Sequence, residues 1–209
     1  MKLYLSSYKI GNNPLELINL VNKQNAKVAV IDNALDYSDD LQRRNESLKA
    51  ELDSMKSLGF NPEHVDLRNY FDSDDGLLNK LKQFDAVWVR GGNSFILRKA
   101  MAQSRFDLVI EELIKPNKLV YAGYSAALAV ISPSLDGVHL VDDPNVEVEG
   151  YDKEIIWEGY GLIDFYPIVH YQSNHSESKL VDSELEYVKS KDYPYRTLRD
   201  GDSIIIDTN

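Results

Sequence analysis

The chain has no cysteine. That excludes disulfide staples, thiolate nucleophiles and Cys-ligated zinc or iron–sulfur sites together, so any covalent catalyst must be an oxygen or nitrogen nucleophile. Positive charge is also scarce. With 23 Lys and Arg against 34 Asp and Glu, the formal net charge is −11, and no basic cluster supplies the phosphate contacts that nucleic acids require. Nucleic acid is therefore not an expected partner, and solubility is favoured. Long apolar runs are missing too: none approaches the roughly 18 to 20 residues needed to span a bilayer. The opening Met1-Lys2-Leu3-Tyr4-Leu5 lacks the apolar region and cleavage site of a signal peptide. A cytoplasmic protein without membrane contact is expected.

What remains is the composition of a globular protein, 43% hydrophobic and 27% charged over 209 residues, with no Pro/Gly/Ser linker, low-complexity tract or internal repeat. A single domain over residues 1–209 is expected. Short apolar runs at Leu3–Leu5, Val28–Ile31, Val65–Leu67, Ala86–Val89 and Leu119–Ala122 alternate with helical patterns, which implies βαβ units. These runs are continuously apolar, as strands covered on both faces are. The fold class is α/β: a three-layer α/β/α sandwich with a mostly parallel central sheet.

Helices are expected from Asn13-Pro14 onward, over Tyr37–Leu58 with Leu41, Leu48, Leu52 and Met55 on one face, and over Asp72–Leu81, Ser94–Met101 and Phe106–Ile114. The charge run of the second reads as a solvated face. The last third offers short strands at Val138–Val141, Gly161–Val169, Thr197–Arg199 and Ser203–Ile206. A final helix over Ser176–Val188 carries Leu180, Val181, Leu185 and Val188.

The segment Lys118-Leu119-Val120-Tyr121-Ala122-Gly123-Tyr124-Ser125-Ala126-Ala127 runs from a strand through small residues into a helix-compatible stretch. Such a turn lifts a hydroxyl above the sheet when small neighbours let strand and helix pass closely. Ala127 stands where the G-x-S-x-G pattern has its second glycine, so a backbone angle reserved for glycine would be lost there. The same segment also fits a serine that only caps a helix. A second strand ends in Arg90-Gly91-Gly92-Asn93, at the sheet edge where parallel α/β sheets bind ligands. Its glycine amides suit an oxyanion hole: Gly92, helped by Gly91, with the amide of Ala126. Asn93 is a candidate substrate contact. Of four histidines, His170 closes the apolar run Ile163–Val169, and an imidazole there is a natural acceptor for a serine proton. His175 is its rival. Without H-x-x-x-H or H-E-x-x-H spacing, no metal and no cofactor are expected.

Gly91-Gly92-Asn93, the elbow Gly123-Tyr124-Ser125-Ala126-Ala127, Gly161-Leu162-Ile163 leading to His170-Tyr171, and Leu198-Arg199-Asp200-Gly201 occur in an order that resembles the peptidase E family of serine peptidases over nearly the whole chain. The resemblance implies a fold like that of class I glutamine amidotransferases, with serine replacing cysteine, and cleavage of short peptides, above all dipeptides with an N-terminal aspartate. It assigns Ser125 as nucleophile, His170 as general base and Gly92 to the oxyanion hole. The third triad member corresponds to Asp200, where the family has glutamate, with Asp136 as the alternative. For an acidic substrate the basic contact is one of Arg90, Arg98, Arg196 and Arg199. The alternatives are a hydrolase of another amide or ester, such as a cyanophycin-like substrate, and a binding module that lost turnover through Ala127 and Asp200. Monomer and homodimer both remain open.

Overall fold

The computed structural model describes residues 1–71 and 73–208. Its central sheet has six strands in the order β3-β2-β4-β5-β1-β8: β1 (Lys2–Ser6), β2 (Lys27–Ile31), β3 (Asn61–His64), β4 (Ala86–Val89), β5 (Val120–Tyr124) and β8 (Ser203–Asp207). All pair in parallel except the edge strand β8, which runs antiparallel to β1. Alternate side chains leave the sheet on opposite faces, and both faces are covered. Leu3, Leu5, Ala29, Ile31, Val87, Val89 and Tyr121 pack under α3 (Gly76–Leu81), α4 (Ser94–Gln103), α5 (Phe106–Val109) and α6 (Ala126–Ala129). Tyr4, Val28, Val30, Trp88, Val120 and Ala122 meet Leu17 and Leu20 of α1 (Pro14–Val21) and Met55 of α2 (Leu41–Ser57). The expected three-layer sandwich is present. No helix among the described residues is long and apolar enough to cross a membrane.

Several elements depart from expectation. The third strand is Asn61–His64, and Val65 and Leu67 are core residues of the segment that follows it. Helix α2 begins only after Asp40, whose side chain caps Arg43 N–H, and Leu41 is 64% exposed instead of lying on the apolar stripe. The third helix starts at Gly76; its expected first residue, Asp72, lies outside the described residues. Val138–Leu140 is a 3-10 turn, and Gly161–Val169 contributes only β6 (Tyr166–Ile168). That strand pairs in parallel with β7 (Tyr195–Thr197) in a separate two-stranded sheet, backed by α7 (Ser178–Ser190) through Val181, Leu185 and Val188, while Leu180 is exposed.

Candidate active site

Parallel pairing of β1, β5 and β4 aligns Ser6 with Tyr124 and Gly123 with Val89, so the residues just past each strand emerge together. The Ser125 amide donates to the Ser6 carbonyl at 3.2 Å. Ser125 has φ 53° and ψ −111°, a backbone conformation that L-residues seldom adopt and that tends to occur where a site requires it. Its side chain makes no capping bond to α6, which removes the helix-cap reading of this serine. Close passage of strand and helix is evident at Gly123: a Cβ there would lie 2.4 Å from the Val89 carbonyl and 2.6 Å from the Ala127 methyl. Ala127 itself is an ordinary helical residue of α6 without positive φ, so its replacement of a glycine costs no backbone angle.

Gly91 and Gly92 follow β4 directly. A Cβ on Gly91 would sit 2.9 Å from Ser125 Cβ, which measures how close this backbone lies to the hydroxyl-bearing residue. Gly92 has φ +145° and lies against the Ala34 carbonyl, 2.5 Å from where a Cβ would be, so only glycine fits. Among the described residues no acceptor engages the N–H groups of Gly91, Gly92 or Ala126. Three unengaged amides around one serine are what an oxyanion hole needs. Asn93 is placed differently from expectation: its Oδ1 caps α4 at Phe95 and Ile96 N–H, both 3.0 Å, and its Nδ2 donates to the Asp143 carbonyl, so the side chain is committed to structure.

The small sheet brings the second half of the site. The pairing of Ile168 with Thr197 sets His170 and Asp200 side by side, two and three residues past their strand ends. His170 Nδ1 and Asp200 Oδ1 are 2.6 Å apart. Ser7, just past β1, binds both: its hydroxyl accepts from His170 N–H at 2.8 Å and donates to Asp200 Oδ1 at 3.2 Å. Ser173 Oγ accepts from Asp200 N–H at 2.8 Å. Asp136, the alternative acid, is held by the hydroxyls of Tyr187 and Tyr193 instead.

His170 is buried, and its ring stacks on His175 with centroids 3.8 Å apart and planes 6° from parallel, while Tyr8 meets both edge-on. Burial lowers the His170 pKa below the usual 6.5 and the charge of His175 adds to this, against the raising effect of Asp200. The imidazole is thus neutral and able to accept a proton at pH 7. His170, His175 and Glu177 also bring ligand atoms within 4.8 Å of one another. Stacked rings keep their in-plane lone pairs in two parallel planes, however, and a metal requires them to converge on one point.

Ser125, Gly91, Gly92 and His170 line one cleft of about 440 Å³. Of the four arginines proposed as basic contacts, Arg90 lines it, with Nε and Nη1 buried and unpaired apart from carboxylates at 3.7 and 3.8 Å. Arg98 is bound to the Glu158 carbonyl, Arg199 to Gln172, and Arg196 lies over Phe165. Arg43 and Arg44 of α2 line the cleft as well, so the charged face of that helix is not wholly a solvated one. Sequence reasoning missed these two, together with Ser7, Ser173 and Glu177; their positions carry no local motif, and only the convergence of distant segments singles them out.

The family model of peptidase family S51 matches residues 10–209. An uncharacterized peptidase of Listeria monocytogenes is 30% identical over 152 residues, 70% of this chain and 69% of that protein. Peptidase E of Streptomyces coelicolor is 30% identical over 142 residues, 66% of this chain and 54% of its own length. Among solved structures, a protein of Listeria monocytogenes EGD-e assigned to peptidase E superposes with a TM-score of 0.75 at 23% identity, covering 98% of this chain and 93% of that one. A peptidase from an acI-B1 actinobacterium gives 0.66 at 14% identity over 98% and 82%. At these identities the structural matches speak for the fold.

Proposed function

We propose, from the premise that this chain belongs to peptidase family S51, that it is a serine peptidase acting on short peptides, above all dipeptides that begin with aspartate. The observation that carries this reading is the 2.6 Å contact of Asp200 with His170, which lines the cleft that also holds Ser125 in its strained turn. His170 Nε2 takes the Ser125 hydroxyl proton as Oγ attacks the carbonyl of the first residue. The new C–O bond places negative charge on the former carbonyl oxygen, where the amides of Gly92, Ala126 and Gly91 receive it; each such donor contributes about 3 to 4 kcal/mol to the transition state. Collapse breaks the C–N bond, His170 returns the proton to the leaving amine, and water then releases the acyl group by the same base. Asp200 holds the imidazole with Nδ1 protonated and stabilises the imidazolium.

The acidic first residue is favoured by local charge. Against a net charge of −11, the cleft presents Arg43, which has no ion pair among the described residues, while Arg90 already faces Glu51 and Asp32 at 3.7 and 3.8 Å, so Arg43 is the cation suited to a substrate carboxylate. Helical Ala127 and the bonded Asp200 speak against a catalytically silent binding module. The test is a panel of Asp-X, Glu-X and neutral dipeptides assayed on wild type and Ser125→Ala. Cleavage of Asp-X that disappears in the variant, in a protein that still melts cooperatively, supports the proposal; equal turnover by both proteins refutes it.

A further inference from the structure

Arg90 lines the cleft yet takes no part in the proposed acyl transfer. It is 3% exposed, and its Nε and Nη1 have no hydrogen-bond partner among the described residues. The side chain belongs to a polar row at the carboxyl edge of the sheet. Val30, Trp88 and Ala122 are in register on the face covered by α2, and two residues further along each strand the same alternation brings Asp32, Arg90 and Tyr124 to that face. Strand order carries the row outward to His64, the last residue of β3, which pairs with Val30. His64 Nε2 lies 2.7 Å from Asp32 Oδ1, and the other Asp32 oxygen lies 3.8 Å from Arg90 Nη1. Helix α2 closes the row from above. Its Glu51 Oε2 is 3.7 Å from Arg90 Nε while Oε1 accepts from Trp88 Nε1 at 2.6 Å, and its Ser47 Oγ accepts from Arg90 Nη2 at 2.6 Å. The Tyr124 phenol faces Arg90 and Glu51.

Two members of the row adjoin the reacting groups along the chain. Arg90 directly precedes Gly91 and Gly92, whose amides receive the oxyanion in the proposed mechanism, and Tyr124 directly precedes Ser125. The Cβ that Gly91 lacks would fall 3.0 Å from the Tyr124 ring, so the two turns touch. What fixes Arg90 against Tyr124 therefore fixes the spacing between nucleophile and oxyanion amides. The guanidinium is held by charge on two sides more than by short bonds, which makes its place sensitive to the balance of that charge. With His64 protonated, the charges alternate, positive on His64 and Arg90 and negative on Asp32 and Glu51, and they sum to zero. The hydrogen bond from Asp32 raises the His64 pKa above 6.5; burial opposes this, the charges of Asp32 and Asp66 add to it and that of Arg68 subtracts. Loss of the proton leaves one uncompensated negative charge, and Asp32, no longer shared, draws Arg90 toward itself.

We propose that Arg90 is a positioning residue that sets the distance from Ser125 to the oxyanion amides, and that His64, at the part-exposed end of the row, is the group through which solvent pH acts on it. This rests on the acyl-transfer reading of Ser125. The site works fully while the row is neutral and loses rate as His64 gives up its proton. Substrate affinity stays the same, because the row acts on the two turns and not on the peptide.

The experiment follows two quantities from neutral pH into alkali: kcat and KM for Asp-Leu, and the rate at which a fluorophosphonate labels Ser125, which depends on no particular peptide. The proteins are wild type, His64→Gln, His64→Lys and Arg90→Lys, each checked for a cooperative melt. Wild type is expected to lose about three- to tenfold in kcat and in labelling rate across the His64 transition at constant KM, a fraction of the 100-fold that a displacement of about 1 Å costs. His64→Gln still donates to Asp32 but carries no charge, so it should show the lower kcat already at neutral pH and no alkaline step. His64→Lys keeps its charge beyond the transition and should hold the higher kcat into alkali. Arg90→Lys keeps a cation but loses the planar fork between Ser47, Asp32 and Glu51, and should lower kcat by about tenfold or more without raising KM. A wild-type profile without the alkaline step, a step unchanged in both His64 variants, or an Arg90→Lys enzyme altered in KM alone overturns the proposal and leaves the nucleophile standing. A wild type that does not label overturns both.

Discussion

Replacing Asp200 by alanine removes the carboxylate 2.6 Å from His170 Nδ1. In the proposed mechanism that contact becomes an ion pair as the imidazole takes up the Ser125 proton. Two unit charges at this separation attract by about 6 kcal/mol at an effective dielectric near 20, and each 1.36 kcal/mol is tenfold in rate. The loss should therefore be about 10³- to 10⁴-fold in kcat, since part of the attraction offsets the burial of both groups. KM should change little, because the carboxylate meets the base and not the peptide. The assay is release of the second amino acid from Asp-Leu. Asp200→Asn keeps the size but can donate its amide N–H to His170 Nδ1 and hold the wrong tautomer, so it should be about as slow as the alanine variant. Asp200→Glu adds a methylene to a contact already at hydrogen-bond distance, and a displacement of about 1 Å costs on the order of 100-fold. Asp136→Asn, whose partners are Tyr187 and Tyr193, should leave kcat unaltered. Turnover of Asp200→Ala within tenfold of wild type would refute the reasoning, most clearly if Asp136→Asn proved the slower enzyme.

The general base must be neutral, and burial lowers the His170 pKa, so the acid limb of kcat/KM should fall below pH 6.5; the same depression makes folding stability decline as pH drops from 6.5 through the His170 pKa. His175→Ala removes a charge that lowers this pKa and admits water to the ring, so the limb should move to higher pH; a shift to lower pH contradicts the stacking argument. Gly91→Ala places a methyl 2.9 Å from Ser125 Cβ and 3.0 Å from the Tyr124 ring, which predicts a drop of about 100-fold or more in kcat/KM. Gly91 lacks positive φ, so its circular dichroism should stay that of the wild type. Asn93→Ala removes the α4 cap and should cost about 1 kcal/mol in urea denaturation.

How far the sequence could be read depends on the range of the interaction that decides each feature. Doubly covered strands announce themselves because every position along Val28–Ile31 or Ala86–Val89 is buried. The elbow is likewise local: strand, small residues and helix occur within ten residues. The edge strand β3 is the opposite case. Asn61-Pro62-Glu63-His64 has a polar, mostly exposed pattern and pairs with β2 alone, so the buried Val65 and Leu67 beyond it give a stronger signal than the strand itself. Val138–Leu140 is apolar because it covers Ala129 and Phe95, and tertiary burial there imitates a strand. Within the site, Ser125 and His170 carry recognisable surroundings, whereas Ser7, Arg43 and Glu184 do not. Ser7 reaches His170 across 163 positions of chain, and a small chamber beside Ser125 draws its acids from residues 142, 177 and 184. No periodicity records such meetings; they follow from sheet order and from the parallel register of β6 and β7.

The central claim is that Ser125 is an activated alcohol and His170 its base. Incubation with a fluorophosphonate followed by peptide mass spectrometry tests it directly. The account predicts one adduct, on Ser125, forming at neutral pH, slowing as pH falls below that of the His170 transition, and lost in His170→Ala. An unmodified Ser125, or labelling that is indifferent to His170, would contradict it.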